Sequence, residues 1–305
     1  MPANLFVILG PTAVGKTKLA ASLCAHFNGE VISADSRQVY KGMDIGTGKD
    51  ISDYTIDGKL IPYHIVDILE PDQEYNLFLF KQDFYKAFNN ILSRHKRPFL
   101  TGGTGLYLSA VVQNYQLNKA DFTNGINELQ NKSLAELTDI LFELNPKLHN
   151  TTDLLDKERI IRAIQIAQAE AETNESPVEE LKPFILGVRA DREIVKKRIT
   201  ERLELRLENG MIEEVENLLA HGITYDKLIF FGLEYKFIAL FLKGELTYND
   251  MFQKLNSAIH KFAKRQMTWY RKMEKEGVVI NWIKGADVNE AVSLINKELG
   301  NNIEL

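Results

Sequence analysis

Residues Gly10 to Thr17 read G-P-T-A-V-G-K-T, directly after the apolar run Leu5–Leu9. A glycine, four residues and then Gly-Lys-Thr is the phosphate-binding loop pattern, and it constrains this chain more than any other stretch. Such a turn aims backbone N–H groups at one anion, and the helix that follows adds the positive end of its dipole. Lys16 would supply positive charge to the phosphates and Thr17 a hydroxyl to Mg²⁺. The candidate phosphate-binding residues are therefore Gly10, Pro11, Thr12, Ala13, Val14, Gly15, Lys16 and Thr17. The pattern does not name the phosphate. Use with a nucleoside triphosphate calls for a second carboxylate at a strand end, and Asp35 and Asp67 are placed to serve.

The context fits the loop. Leu19, Ala20, Leu23 and Phe27 recur at helical spacing and stop at Asn28-Gly29. Val31-Ile32, Tyr63–Leu69 and Pro98–Leu100 read as strands, and Leu77–Arg94 as a long helix. This alternation predicts an α/β fold: a P-loop NTPase-like, mainly parallel sheet flanked by helices. Strand signals stop from about Val112 to Lys182, where Leu134–Leu144 and Leu154–Ala169 look helical, with polar joints at Asn145-Pro146 and Glu172–Pro177. Residues 112–182 are thus expected to be an all-helical insertion, and residues 1–111 and 183–305 the catalytic core. Pro183–Val188 resumes the strand pattern and Arg192–Leu207 is helical. Val278–Trp282 predicts a late strand and Val288–Leu299 a last helix.

The chain has 305 residues, 45% apolar and 26% charged, which suits a soluble globular protein with a sizeable core. No apolar run approaches the ~18 to 20 residues of a membrane span. No basic segment precedes Leu5–Leu9, so it does not read as a signal peptide. The single cysteine, Cys24, sits in an apolar helical pattern and has no partner for a disulfide or a metal pair. A cytoplasmic monomer without a membrane partner is expected. The net charge of −5 argues against nonspecific coating of nucleic acid. The charge is uneven, however. Between Lys254 and Lys275, seven Lys and Arg residues face Glu274 alone. That stretch is either a solvated helix face or one oriented contact with a polyanion.

Two further polar segments follow strand ends, where doubly wound sheets place their ligands. Thr101-Gly102-Gly103-Thr104-Gly105 carries no acid but offers N–H groups and hydroxyls. It suits a second anion contact, or a tight strand-to-helix turn. Asp35 leads a cluster with Ser36, Arg37, Gln38 and Tyr40. Its carboxylate can ligate metal, accept a proton or simply cap a helix.

Together these segments resemble the tRNA dimethylallyltransferase (tRNA isopentenyltransferase) family. The matching stretches are "GPTAVGKT" at Gly10–Thr17, "ISADSRQVYKGMDIGTGK" at Ile32–Lys49, "TGGTGLYL" at Thr101–Leu108, "ERIIRAIQI" at Glu158–Ile166 and "AKRQMTWYR" at Ala263–Arg271. The length is similar to that of bacterial members, and the lone cysteine agrees with the absence of a zinc finger. The resemblance implies that the loop holds dimethylallyl diphosphate rather than the tail of ATP, with Mg²⁺ bridging the diphosphate. It implies as acceptor the exocyclic amine of adenosine 37, in tRNAs that read codons starting with U. Asp35 matches the family's general base, with Lys16 and Thr104 beside it in the catalytic set. Contacts to tRNA are implied for Asp35, Ser36, Arg37, Gln38, Tyr40 and Thr104. They are also implied for Glu158, Arg159, Ile160, Ile161 and Arg162, and for Lys264, Arg265 and Gln266. The helical insertion would grip the anticodon stem-loop.

Two departures stand out. The family usually carries an arginine shortly before a Gly-Tyr pair, where it helps hold the diphosphate. Lys227 to Lys236 contains none, leaving Lys227 or Lys236 as substitutes. The common Thr-Arg before "AKRQ" reads Ile259-His260. Three other readings remain: a phosphate-loop kinase of a small metabolite, a prenyltransferase of free adenine nucleotide, and an RNA-binding protein with a vestigial site.

Overall fold

The structure is a computed structural model that describes residues 2–115, 117, 126–144, 157–168 and 180–300. Strand β1 (Leu5–Leu9) is fully buried and leads through the glycine loop into helix α1 (Lys16–Phe27). Asn28 ends α1 in the left-handed conformation, and β2 (Gly29–Ser33) begins at the next residue. A short hairpin, β3 (Thr55–Ile56) and β4 (Lys59–Leu60), turns at Asp57-Gly58. Then come β5 (Tyr63–His64), α2 (Leu77–Ser93), β6 (Arg97–Thr101) and α3 (Gly105–Val112). Helix α2 is capped by Asn76, whose side chain accepts the Leu79 N–H, and it buries Phe80, Phe84 and Phe88 on one face.

The chain divides into two compact units, Met1–Asn114 with Glu179–Leu305, and Tyr115–Val178. Residues 112–114 and 179–182, read from sequence as part of the insertion, fall in the first unit. The second unit contains α4 (Ile126–Gln130), α5 (Leu134–Leu144) and α6 (Lys157–Gln168). These share a small core of Leu129, Leu137, Leu141, Ile160, Ile161 and Ile164. The polar joints at Asn145-Pro146 and Glu172–Pro177 lie outside the described residues.

The first unit resumes with β7 (Pro183–Arg189) and α7 (Arg192–Glu208). Helices α8 (Met211–Ala220), α9 (Tyr225–Phe231) and α10 (Leu233–Leu242) follow. Helix α11 (Tyr248–Lys275) runs for 28 residues, and β8 (Asn281–Lys284) and α12 (Val288–Glu298) complete the described chain. The main sheet has six strands in the order β5-β2-β6-β1-β7-β8, and every pairing in it is parallel. Strand β1 lies inside, with β6 on one flank and β7 on the other. Its C-terminal end is thus the point where the strand order reverses, and such sheets open a ligand crevice there.

Two expected strands differ. The run Tyr63–Leu69 pairs with β2 only at Tyr63 and His64, and its far end makes a single parallel bridge from Leu69 to Tyr40. Ile65 and Asp67 turn left-handed, and Asp67 and Ile68 hydrogen-bond instead to the carbonyls of Gln38 and Val39. The late strand starts at Asn281 rather than Val278. The Val278 N–H is already donated to Met273 at the end of α11, and β7 sets the register from Leu186 opposite Asn281.

Candidate active site

The phosphate loop rises from β1 and bends into α1 at Gly15, whose φ of 85° suits a residue without a Cβ. Thr12, Ala13, Gly15, Lys16 and Thr17 border a cavity of about 430 Å³. Gly10, Pro11 and Val14 instead lie under the loop, buried. The Gly10 carbonyl accepts a hydrogen bond from the buried Tyr270 hydroxyl at 3.0 Å. The Lys16 ammonium donates to the Pro11 carbonyl at 2.6 Å. Burial first, and then the neighbouring Arg202 charge, push its pKa down to about 7, against the opposing pull of Asp35.

Asp35 enters the same cavity just past β2. Its Oδ1 accepts the backbone N–H groups of Arg37, at 2.9 Å, and Gln38, at 3.4 Å. One oxygen is therefore committed to the turn. Oδ2 has no hydrogen-bond partner among the described residues and lies on the side of Gly103. Asp67, the other candidate carboxylate, is not on the cavity wall. It pairs with the buried Lys49 ammonium, which also bonds Asp44 and the Tyr40 carbonyl.

The second glycine segment forms the adjoining wall. Thr104 caps α3, and its Oγ1 accepts the Ser36 N–H at 3.1 Å, tying the two polar segments together. Gln266 joins the two glycine loops. Its Oε1 accepts the Thr12 N–H and its Nε2 donates to the Gly103 carbonyl, both at 2.8 Å. Gln266 is largely buried and braces the two loops, yet it also borders the cavity.

Ser36, Arg37 and Gln38 line the cavity, but Tyr40 does not. Tyr40 is buried, with its ring centroid 5.0 Å from that of Phe231. Arg265 reaches the cavity rim and its guanidinium sits over Phe262, whereas Lys264 is exposed outside it. In the second unit Glu158, Arg159 and Arg162 are exposed, while Ile160 and Ile161 are buried in that unit's core. Side-chain contact with RNA on this helix is thus open to the polar three and closed to the two isoleucines.

The lysines named as substitutes for the missing arginine do not reach the cavity wall. Lys227 donates to the carbonyls of Asp72 and Gln73, and Lys236 is exposed. Two arginines that the sequence reading passed over do line it: Arg202 and Arg206, one turn apart on α7. A signal was present. The buried stripe of α7 runs Val195, Ile199, Leu203 and then Arg206, which sets a cation where the pattern calls for an apolar residue. Leu106, Ile259, Phe262 and Trp269 give the wall an apolar stretch, while Asp50, Asp53 and Glu234 add carboxylates to it. Ile259 thus faces the cavity, and its neighbour His260 contacts the Lys196 carbonyl at 3.3 Å. Among the described residues no group of three or more His, Cys, Asp or Glu side chains could hold a metal. None of the described helices is long and apolar enough to cross a membrane.

The site thus sets an anion-binding loop, a carboxylate oxygen and an apolar stretch of wall around one cavity. Comparison with known proteins points the same way. The family model for IPP transferase matches residues 38–273, and that for isopentenyl transferase matches residues 3–57. A Geotalea uraniireducens protein named tRNA dimethylallyltransferase 1 is 52% identical over 289 residues, covering 93% of this chain and 94% of the relative. A Bacteroides fragilis tRNA dimethylallyltransferase 2 is 48% identical over 303 residues, 97% of this chain and 98% of the relative. The crystal structure of the full-length tRNA isopentenylpyrophosphate transferase from Bacillus halodurans superimposes with a TM-score of 0.70 at 31% identity, covering 98% of this chain and 96% of that one. The chain belongs to the tRNA dimethylallyltransferase family.

Proposed function

We propose that this chain transfers a dimethylallyl group from dimethylallyl diphosphate to the exocyclic 6-amino group of adenosine 37, in tRNAs that read codons starting with U. The observation that carries the reading is the meeting, in one cavity, of the phosphate loop and a carboxylate oxygen of Asp35 that has no hydrogen-bond partner among the described residues. The aromatic amine is a weak nucleophile, and its proton must leave as the new carbon–nitrogen bond forms. Asp35 Oδ2 accepts that proton, while Oδ1 stays committed to the turn. The carbon–oxygen bond of the donor breaks, and its electron pair leaves with diphosphate. The loop N–H groups, Lys16 and Thr104 stabilise the leaving charge. Leu106, Phe262 and Trp269 offer the apolar surface that a five-carbon chain requires.

Thr17 is the residue that would hold Mg²⁺. A single hydroxyl fits an ion that keeps several waters and takes phosphate oxygens as its other ligands. Bound there, Mg²⁺ would neutralise charge on the diphosphate. A base-paired adenosine cannot present its amine, so the nucleotide must be extruded into the cavity. Ser36, Arg37 and Gln38 stand beside Asp35 to receive it. Arg159 and Arg162 on the small helical unit, and Lys264 and Arg265 on α11, offer cations to the anticodon stem-loop. The enzyme acts as a cytoplasmic monomer.

The test is a transfer assay with Mg²⁺, labelled dimethylallyl diphosphate and an unmodified tRNA carrying adenosine 37, run beside an adenosine monophosphate reaction. Label in the tRNA alone is expected. Label in the monophosphate would move the acceptor to free nucleotide. Label in neither, with ATP turned over, would replace the reading with a kinase.

A further inference from the structure

Arg202 is a half-buried guanidinium on the cavity wall, and the carboxylates of Glu234, Asp50 and Asp53 act on it only from beyond ion-pair distance among the described residues. Among the described residues its hydrogen bond goes to a neutral partner, the Thr12 hydroxyl of the phosphate loop, and it makes no ion pair. Taking a charge out of water without pairing it is costly, so such a group implies an anion that completes it. Burial, with the charge of Arg206 second, holds the Arg202 pKa down to about 10, against the opposing pull of Glu234, Asp50 and Asp53.

Arg206 follows on the same face of α7 and is buried. Its Nη2 lies 3.4 Å from Asp50 Oδ2, a long contact at the edge of the cavity. The opposite wall is shaped around it. Gly48 is left-handed, and a Cβ there would fall 2.1 Å from Arg206 Nη2. Glu214 holds that wall in place by accepting the N–H groups of Asp44, Ile45 and Gly46.

We infer that Arg202, with Arg206 one turn behind it, grips the second phosphate group of the diphosphate beside Lys16. This rests on the transferase reading for the identity of the anion. As the donor's carbon–oxygen bond breaks, the electron pair stays on the bridging oxygen and the diphosphate gains a negative charge. The adenosine nitrogen supplies the new bond, and its proton passes to Asp35. A guanidinium fork beside the phosphate loop meets the growing charge with two parallel N–H donors. Helix α7 thereby supplies the cation that the 227–236 segment lacks.

The experiment titrates inorganic diphosphate into the full-length wild type, Arg202→Gln, Arg202→Lys and Arg206→Gln. It also measures kcat and KM for dimethylallyl diphosphate, affinity for an anticodon stem-loop RNA, and thermal midpoints. Arg202→Gln should weaken diphosphate binding by about tenfold or more and lower kcat by about 100-fold, with RNA affinity unchanged. Arg202→Lys keeps the charge but not the fork, so it should recover diphosphate binding more than kcat. Wild-type diphosphate binding and turnover in a folded Arg202→Gln protein would overturn the inference and leave the transferase reading standing. Loss of diphosphate binding in the variants, with no transfer to tRNA by the wild type, would sustain the arginine assignment and sink the transferase reading. No diphosphate binding by the wild type would overturn the inference outright.

Discussion

The side-chain oxygen of Gln266 accepts the backbone N–H of Thr12 at 2.8 Å, while the same amide donates to Gly103. One buried side chain thus sets the spacing between the two glycine loops. Gln266→Ala would leave the Thr12 N–H and the Gly103 carbonyl unpaired and cost about 1–3 kcal/mol of stability. Because the loops would no longer be held in register, kcat should fall by about 100-fold. Steady-state kinetics at a temperature well below the variant's own unfolding midpoint separates the two effects.

Asp35→Asn is the informative substitution at the proposed base. The amide oxygen still accepts the Arg37 N–H, so the turn survives, but the proton acceptor is gone. Transfer should fall by about 10²- to 10⁴-fold with tRNA affinity unchanged. Single-turnover kinetics with saturating tRNA checks this, and near-normal turnover would remove Asp35 from the base role.

The free enzyme's Lys16 has a pKa of about 7, lowered chiefly by burial. An arriving phosphate favours the charged form and raises that pKa. At about pH 8 most of the free amine is neutral, so binding must take up a proton, and diphosphate affinity falls as pH rises through 7 and above. Calorimetry in buffers of different ionisation enthalpy should show this uptake in the wild type. It should be missing in Lys16→Arg, whose guanidinium is charged throughout.

Glu30 predicts the acid limit of the fold. Burial alone would raise its pKa, but hydrogen bonds from Arg94, Lys96 and His64 outweigh it and bring the value to about 2. The folded value is below the ordinary carboxylate range. This cluster's stabilisation is therefore fully present above about pH 4.3 and is lost as pH falls towards 2. The difference corresponds to about 3 kcal/mol. Urea midpoints for wild type and Glu30→Gln should differ at neutral pH and converge in acid.

The sequence carried the phosphate loop, the central strands and Asp35 openly, because their signals are local. The loop's chemistry is mostly backbone, and the turn at Asp35 is closed by residues two and three positions on. What sequence concealed depends on partners far along the chain. Gln266 sits in a basic run and looks like a surface residue until Thr12 and Gly103 are brought to it. Tyr40 sits in a polar motif but packs at a tilt against Phe231. Arg206 occupies an apolar stripe, and only the glycine opposite shows that a cation belongs there. The extent of β5 and the start of β8 were set by neighbouring strands rather than by their own apolar runs.

Thr12 and Gln266 stand 254 positions apart. During synthesis the phosphate loop therefore emerges long before its brace. Strand β1 likewise waits for β7, which begins at Pro183, before its second edge is covered. A nascent chain therefore displays the loop long before it has a working centre. Any truncated product that lacks the end of α11 should be inert, whatever motifs it keeps.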